Sequence, residues 1–170
     1  TPAVSASANV EAGVVAVALQ GQAQGAPGAK YLFRLELIGA VGIILIGSTM
    51  HFAFEWSGRW TPLALFVAVN ESIWEHLKLA FWPGLFWGCI MPLPPNLRRL
   101  DILSAKGVSL AVTAALIVSI FSTYTTILGR NLLILDIGTF VVAIWVGQMI
   151  STVLLLNMVG QRRVIFLAGT

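Results

Sequence analysis

Four long stretches of the chain are almost free of charge, and strongly polar residues gather at their ends. The first, LELIGAVGIILIGSTMHFAFEW, follows Arg34 and closes at Trp56. About twenty apolar residues cross a ~30 Å hydrocarbon core as a helix, so this stretch has the length of a membrane span. Its Gly39, Gly42 and Gly47 suit close helix approach in lipid. The second stretch runs from Ile73 to Met91; Pro83 inside it should kink the helix and free the carbonyl of Leu79. Ser72 and Glu75 have capping-box spacing at its start, and Pro92, Pro94 and Pro95 end it. Lys106 to Leu128 forms the third stretch, Gly129-Arg130-Asn131 a tight turn, and Leu132 to Val159 the fourth. Val164 to Thr170 opens another apolar run, too short to cross. Because lipid offers the backbone no hydrogen-bond partner, these runs must be helices. The expected fold is an all-α, polytopic integral membrane bundle of at least four transmembrane helices, roughly 34–56, 73–91, 106–128 and 132–159. Residues 1–29 have a single charge, Glu11, and many small residues, and are expected to form a loose tail with a short helix over Val10 to Leu19. The membrane domain would then be residues 30–170.

Composition agrees with this reading. Of 170 residues, 58% are apolar and 10% charged, against about a quarter charged in a soluble domain, and the mean hydropathy is +0.89. A soluble enzyme is excluded. A single cysteine, Cys89, excludes an internal disulfide and any zinc pattern built on paired thiolates. The net charge of +3 comes from small basic groups beside apolar runs, not from a basic stripe with interleaved aromatics, so no nucleic-acid partner is expected. Lys30, Arg34, Arg98, Arg99, Lys106, Arg162 and Arg163 fall on one side of the expected spans, with Arg59 and Arg130 on the other and Lys78 just inside the second span there. The positive-inside rule then places the N-terminus in the cytoplasm of a cell-membrane protein.

Threading the spans back and forth collects the remaining polar residues at the extracytoplasmic end. His51 and Glu55 close the first span; Asn70, Glu71, Glu75, His76 and Lys78 surround the start of the second; Tyr124 closes the third and Asp136 opens the fourth. His51 and Glu55 share a helix face, as do Glu71, Glu75, Lys78 and Trp82 if the helix includes position 71, whereas His76 points about 100° away from Glu75. Two neutral imidazoles with a carboxylate suit zinc or another divalent metal with a place left for water. In that reading His51 and His76 are the ligands, Glu71 or Glu75 the general base, and Glu55, Asn70, Lys78, Tyr124 and Asp136 the binding groups. Each also has a plainer role. Carboxylates are favoured at a helix start, Lys78 can snorkel or neutralise a glutamate, and Asp136 can bond Tyr124, Thr125 or Arg130.

The segments His51-Phe52-Ala53-Phe54-Glu55-Trp56-Ser57-Gly58, Asn70-Glu71-Ser72-Ile73-Trp74-Glu75-His76-Leu77-Lys78 and Tyr124 to Asn131 with Asp136-Ile137 together resemble the domain-of-unknown-function family 6512, small prokaryotic multi-pass membrane proteins. The likeness covers roughly residues 34 to 157. By it, His51, Glu55, Trp56, Asn70, Glu71, Glu75, His76, Lys78, Tyr124 and Asp136 occupy motif positions, and a further membrane helix is implied after Arg163. No established activity comes with the resemblance. Two functions remain open: a membrane-embedded metal or acid-base site, and an accessory subunit of a larger membrane assembly in which the polar cluster only locks the helices. A proton or ion pathway is disfavoured at this level, since only one polar face is evident and no polar residues lead across the middle of the spans.

Overall fold

The structure, a computed structural model, describes residues 2–168 except 71 and 95, and the side chains of residues 28–161 with the same two exceptions. Its helices are α1 (Pro2–Trp56), α2 (Ile73–Ile90), α3 (Arg99–Leu128) and α4 (Leu133–Ala168), with a 3-10 turn at Thr61–Leu65; no strand occurs among the described residues. The ends expected at Trp56, Ile73 and Leu128 are found. α3, however, begins seven residues ahead of Lys106, because the Asp101 carboxylate accepts the Arg98 backbone N–H at 2.7 Å and caps a turn that reads in sequence as a charged loop. It stops at Gly129, whose φ of 67° is the left-handed conformation that terminates helices. α4 runs on to Ala168, so the fourth apolar stretch and the short one beyond it are one helix. The expected capping box at α2 is not formed. Ser72 is the N-cap but its hydroxyl bonds nothing there; its N–H goes to Asn70 Oδ1 at 2.9 Å, and Glu75 accepts the Val69 N–H instead, at 3.1 Å. The short helix expected over Val10 to Leu19 is part of one helix with the first span, since α1 runs from Pro2 to Trp56; the side chains of residues 1–27 lie outside the described residues.

α1 packs on α2 and α4, and α3 packs on the same two, so the helices form a closed ring. One apolar core joins Leu32 and Leu35 at the start of the described part of α1, Met91 just past the end of α2, Ile102 at the start of α3 and Leu155 late in α4. A second core joins Ala40 and Ile43, Ala80, Ile117, and Ala143 with Ile144. The order of these residues along each helix makes neighbours antiparallel, up-down-up-down. α2 therefore returns the chain from one end of the bundle to the other, over 18 residues or about 27 Å at 1.5 Å per residue.

Several glycines permit close approaches, Gly47 and Gly147 among them. A Cβ at Gly47 would sit 2.5 Å from the carbonyl oxygen of Leu79, the group that Pro83 frees from its helical partner. One at Gly147 would strike the hydroxyl of Thr113 and come within 3.1 Å of Ser109 Oγ. Gly42, by contrast, faces open space.

The bundle is inverted relative to a protein folded in water. Leu45, Ile90, Ile127 and Ile134 are between 63% and 81% exposed, while Glu36, Lys106, Gln148 and Ser151 are at most 6% exposed. Outward apolar side chains of this kind are compatible with a lipid surround. Three segments are long and apolar enough to cross a membrane: Gly28–Trp56, Arg99–Leu128 and Leu133–Gln161. α2 is not among them, being shorter and carrying Glu75, His76 and Lys78 in its first two turns.

Candidate functional site

Antiparallel packing brings the end of α1, the start of α2, the end of α3 and the start of α4 to one end of the molecule. There the rings of His51 and His76 meet, with centroids 5.3 Å apart and planes tilted by 40°. The residues come from different helices, so only tertiary packing could join them. His76 Nδ1 lies 2.9 Å from the Ser72 carbonyl oxygen; a carbonyl only accepts, so Nδ1 carries the hydrogen and Nε2 holds the lone pair of the neutral ring. His76 also lines a cavity of about 20 Å³ with Ile73, Ile117, Phe121, Asp136, Thr139 and Phe140, about the room that one water needs. Across it, the Tyr124 hydroxyl donates to Asp136 Oδ1 and ties α3 to α4. Four of the sequence-derived candidates thus converge: His51, His76, Tyr124 and Asp136.

Others face elsewhere. The Glu75 carboxylate pairs with Lys78 at 2.6 Å and accepts the Val69 N–H; Lys78 donates to the Ala64 carbonyl at 2.8 Å; Trp82 Nε1 donates to the Leu65 carbonyl at 3.1 Å. The expected Glu75, Lys78, Trp82 stripe therefore holds the 60–70 connection against α2. Asn70 is exposed and serves the Ser72 N–H. Glu55 forms an exposed pair with Arg59 at 3.1 Å, one turn along its own chain. Glu71 lies outside the described residues. Among the described residues no three His, Cys, Asp or Glu side chains form a group that could hold a metal ion; the two imidazoles are adjacent, but Asp136 is committed to Tyr124.

The model of a family of unknown function (DUF6512) matches residues 29–165. The chain belongs to that family. No curated protein and no solved structure matches it. The family match thus spans both ends of the bundle.

At the other end, this DUF6512 protein holds a polar layer that sequence reasoning missed. Lys106, counted above among the loop charges, is 3% exposed inside α3. Its ammonium donates to Glu36 Oε2 on α1 and to Gln148 Oε1 on α4, and Ser151 Oγ on α4 donates to Glu36 Oε1 at 2.9 Å. The layer sits between the two apolar cores and joins three helices. A signal did exist: Glu36 and Gln148 are isolated polar residues inside apolar stretches, where an ionisable group needs a partner. What hid the partner was placing the start of α3 at Lys106. Above the layer, Ser109 and Thr113 on α3 and Thr139 on α4 are buried as well. The middle of the bundle is therefore not free of polar residues, contrary to expectation.

Proposed function

We propose that this chain is a multi-pass cell-membrane protein, spanning four times with its N-terminus in the cytoplasm, and that its extracytoplasmic end is an acid-base site. The observation that carries this reading is the contact of the His51 and His76 rings beside a one-water cavity shared by His76 and Asp136. His76 is the base through Nε2, His51 is the neighbour with which it shares proton affinity, and the hydrogen-bonded Tyr124 and Asp136 form the acidic wall. Such a group can accept a proton from water or from a polar substrate at the membrane surface, because imidazole and carboxylate side chains are common general bases. Support for α2 as the fourth span comes from its antiparallel return through the bundle and its length near the hydrocarbon thickness. Removing Lys106 from the charge count leaves Lys30, Arg34, Arg98, Arg99, Arg162 and Arg163 against Arg59, Lys78 and Arg130, which keeps the same orientation.

Only two histidines occur in the chain, so ¹⁵N-histidine spectra of the protein in lipid nanodiscs report on this site alone. The expected result is an Nδ1–H tautomer for His76, with protonation of one ring moving the signals of both and Asp136→Asn moving those of His76. Rings that respond independently would remove the acid-base reading. A shift of both Nε2 signals on adding Zn²⁺ would favour the metal use of the same pair. If neither is seen, the accessory-subunit role remains, to which the Tyr124–Asp136 bond between α3 and α4 already lends support. Orientation is tested separately: an impermeant thiol reagent on intact cells should label Arg59→Cys and leave Arg98→Cys unlabelled, both made in a Cys89→Ala background. The reverse pattern would turn the bundle upside down.

A further inference from the structure

The buried polar residues of α3 and α4 are not scattered. On α3, Lys106, Ser109 and Thr113 follow at helical spacing along one face; on α4, Ser151, Gln148, Gly147, Ala143, Thr139 and Asp136 form the facing strip. Contacts tie the two strips together rung by rung. Lys106 meets Gln148; Gly147 lies against Ser109 and Thr113, and its lack of a side chain leaves their hydroxyls in the seam; Thr113 Oγ1 donates to the Ser109 carbonyl at 2.9 Å and reaches the Ala143 carbonyl at 3.3 Å. Thr139 is one turn from Ala143, about 6 Å along the axis, and it lines the same small cavity as His76 and Asp136. The buried hydroxyls of Ser109, Thr113 and Thr139 thus lie in that order between the ion pair and the histidine site. Serine and threonine also serve helix packing in lipid, so it is the ionisable pair within a span that makes this strip a functional candidate.

We infer that this α3–α4 seam conducts protons between the extracytoplasmic His51–His76 site and the Glu36–Lys106 pair, and that the protein thereby moves protons across the membrane. The inference rests on the acid-base reading of the histidine site. A proton taken up at His76 passes to a water in the cavity and on to the Thr139 hydroxyl. From there Thr113 and Ser109 relay it, each oxygen accepting one proton on a lone pair and releasing its own once the Thr113 hydroxyl turns from the Ser109 and Ala143 carbonyls, with water bridging Thr139 to Thr113 and Ser109 to Glu36. The proton reaches the Glu36 carboxylate, whose charge is shared with Lys106, Ser151 and, through Lys106, Gln148. Only O–H and N–H bonds are made and broken, and no oxidant or co-reactant is needed. Beyond Glu36 the apolar core of Leu32, Met91, Leu97, Ile102 and Leu155 closes the inner end. Release there requires that core to part, so it is the gate.

The test is proton entry into proteoliposomes carrying a trapped pH-sensitive dye, driven by a potassium diffusion potential with valinomycin. The wild-type protein is expected to acidify the lumen faster than protein-free vesicles. Thr113→Val keeps the shape and removes one relay oxygen; it should slow entry about tenfold, equivalent to ~1.4 kcal/mol in the barrier. Ser109→Ala provides a second variant should Thr113→Val fail to fold, and the double change Glu36→Gln with Lys106→Gln should abolish entry without leaving a lone buried charge. Wild-type entry no faster than empty vesicles overturns the inference, as does entry that Thr113→Val and Ser109→Ala both leave unchanged. If entry fails while the two histidine signals remain coupled, the seam is refuted and the acid-base site stands. Loss of both would refute the two together.

Discussion

The two ends of the bundle solve one problem, polar groups near or within lipid, in different ways. At the histidine end the bonds are mostly local: Glu55 with Arg59, Glu75 with Lys78, Asn70 with Ser72, each within six residues in sequence and partly open to solvent. At the Glu36 end they are long-range, linking residues 70, 42 and 115 positions apart, and every partner is buried. Local pairs near an interface lose little when broken, because water can replace the missing partner. A buried ion pair has no such substitute, so its energetic weight lies in the penalty of leaving one charge alone, not in the attraction itself. The histidine end can therefore vary its contacts during function, whereas the inner layer fixes how α1, α3 and α4 align.

The sharpest way to break this comparison is Lys106→Met. It leaves the Glu36 carboxylate buried without its counter-charge and should cost about 3–5 kcal/mol in reversible unfolding from mixed micelles. Glu36→Gln combined with Lys106→Met should recover most of that loss. If the single change costs less than the double, the layer is not the alignment device described here. A smaller effect is expected at the other end. Tyr124→Phe removes one hydroxyl from Asp136, in a setting that is only half-buried, and should cost about 1 kcal/mol by the same measurement. Its ¹⁵N-histidine spectrum should change at His76 through the shared cavity. A loss as large as that of Lys106→Met would mean that the two ends are equally structural.

How much of this was legible beforehand differs from residue to residue. The convergence of His51, His76, Tyr124 and Asp136 could be expected because all four lie at span ends that antiparallel helices must bring together. The fate of Glu75 and Lys78 could not, since either could face the bundle or the 60–70 connection, and that choice depends on where Ala64 and Val69 fall. Lys106 was hidden for a different reason: a lysine near an arginine pair at the edge of an apolar run is indistinguishable from a topology signal until the helix start is known.

By itself the sequence pointed to lipid as the medium and to helices as the elements. Uncharged runs of membrane length, with Pro and Gly between them, leave a backbone in lipid no alternative to helices, and the placement of basic residues implies an orientation. Tertiary structure alone decided which faces meet. A helical period assigns each side chain a direction but not a neighbour, and in a bundle that exposes many large apolar side chains the hydrophobic pattern no longer separates inside from outside. The partners of Glu36 and Lys106, and the hydroxyl seam above them, depend on the mutual rotation of α1, α3 and α4, which close approaches such as Gly147 against Thr113 fix only once the helices are packed.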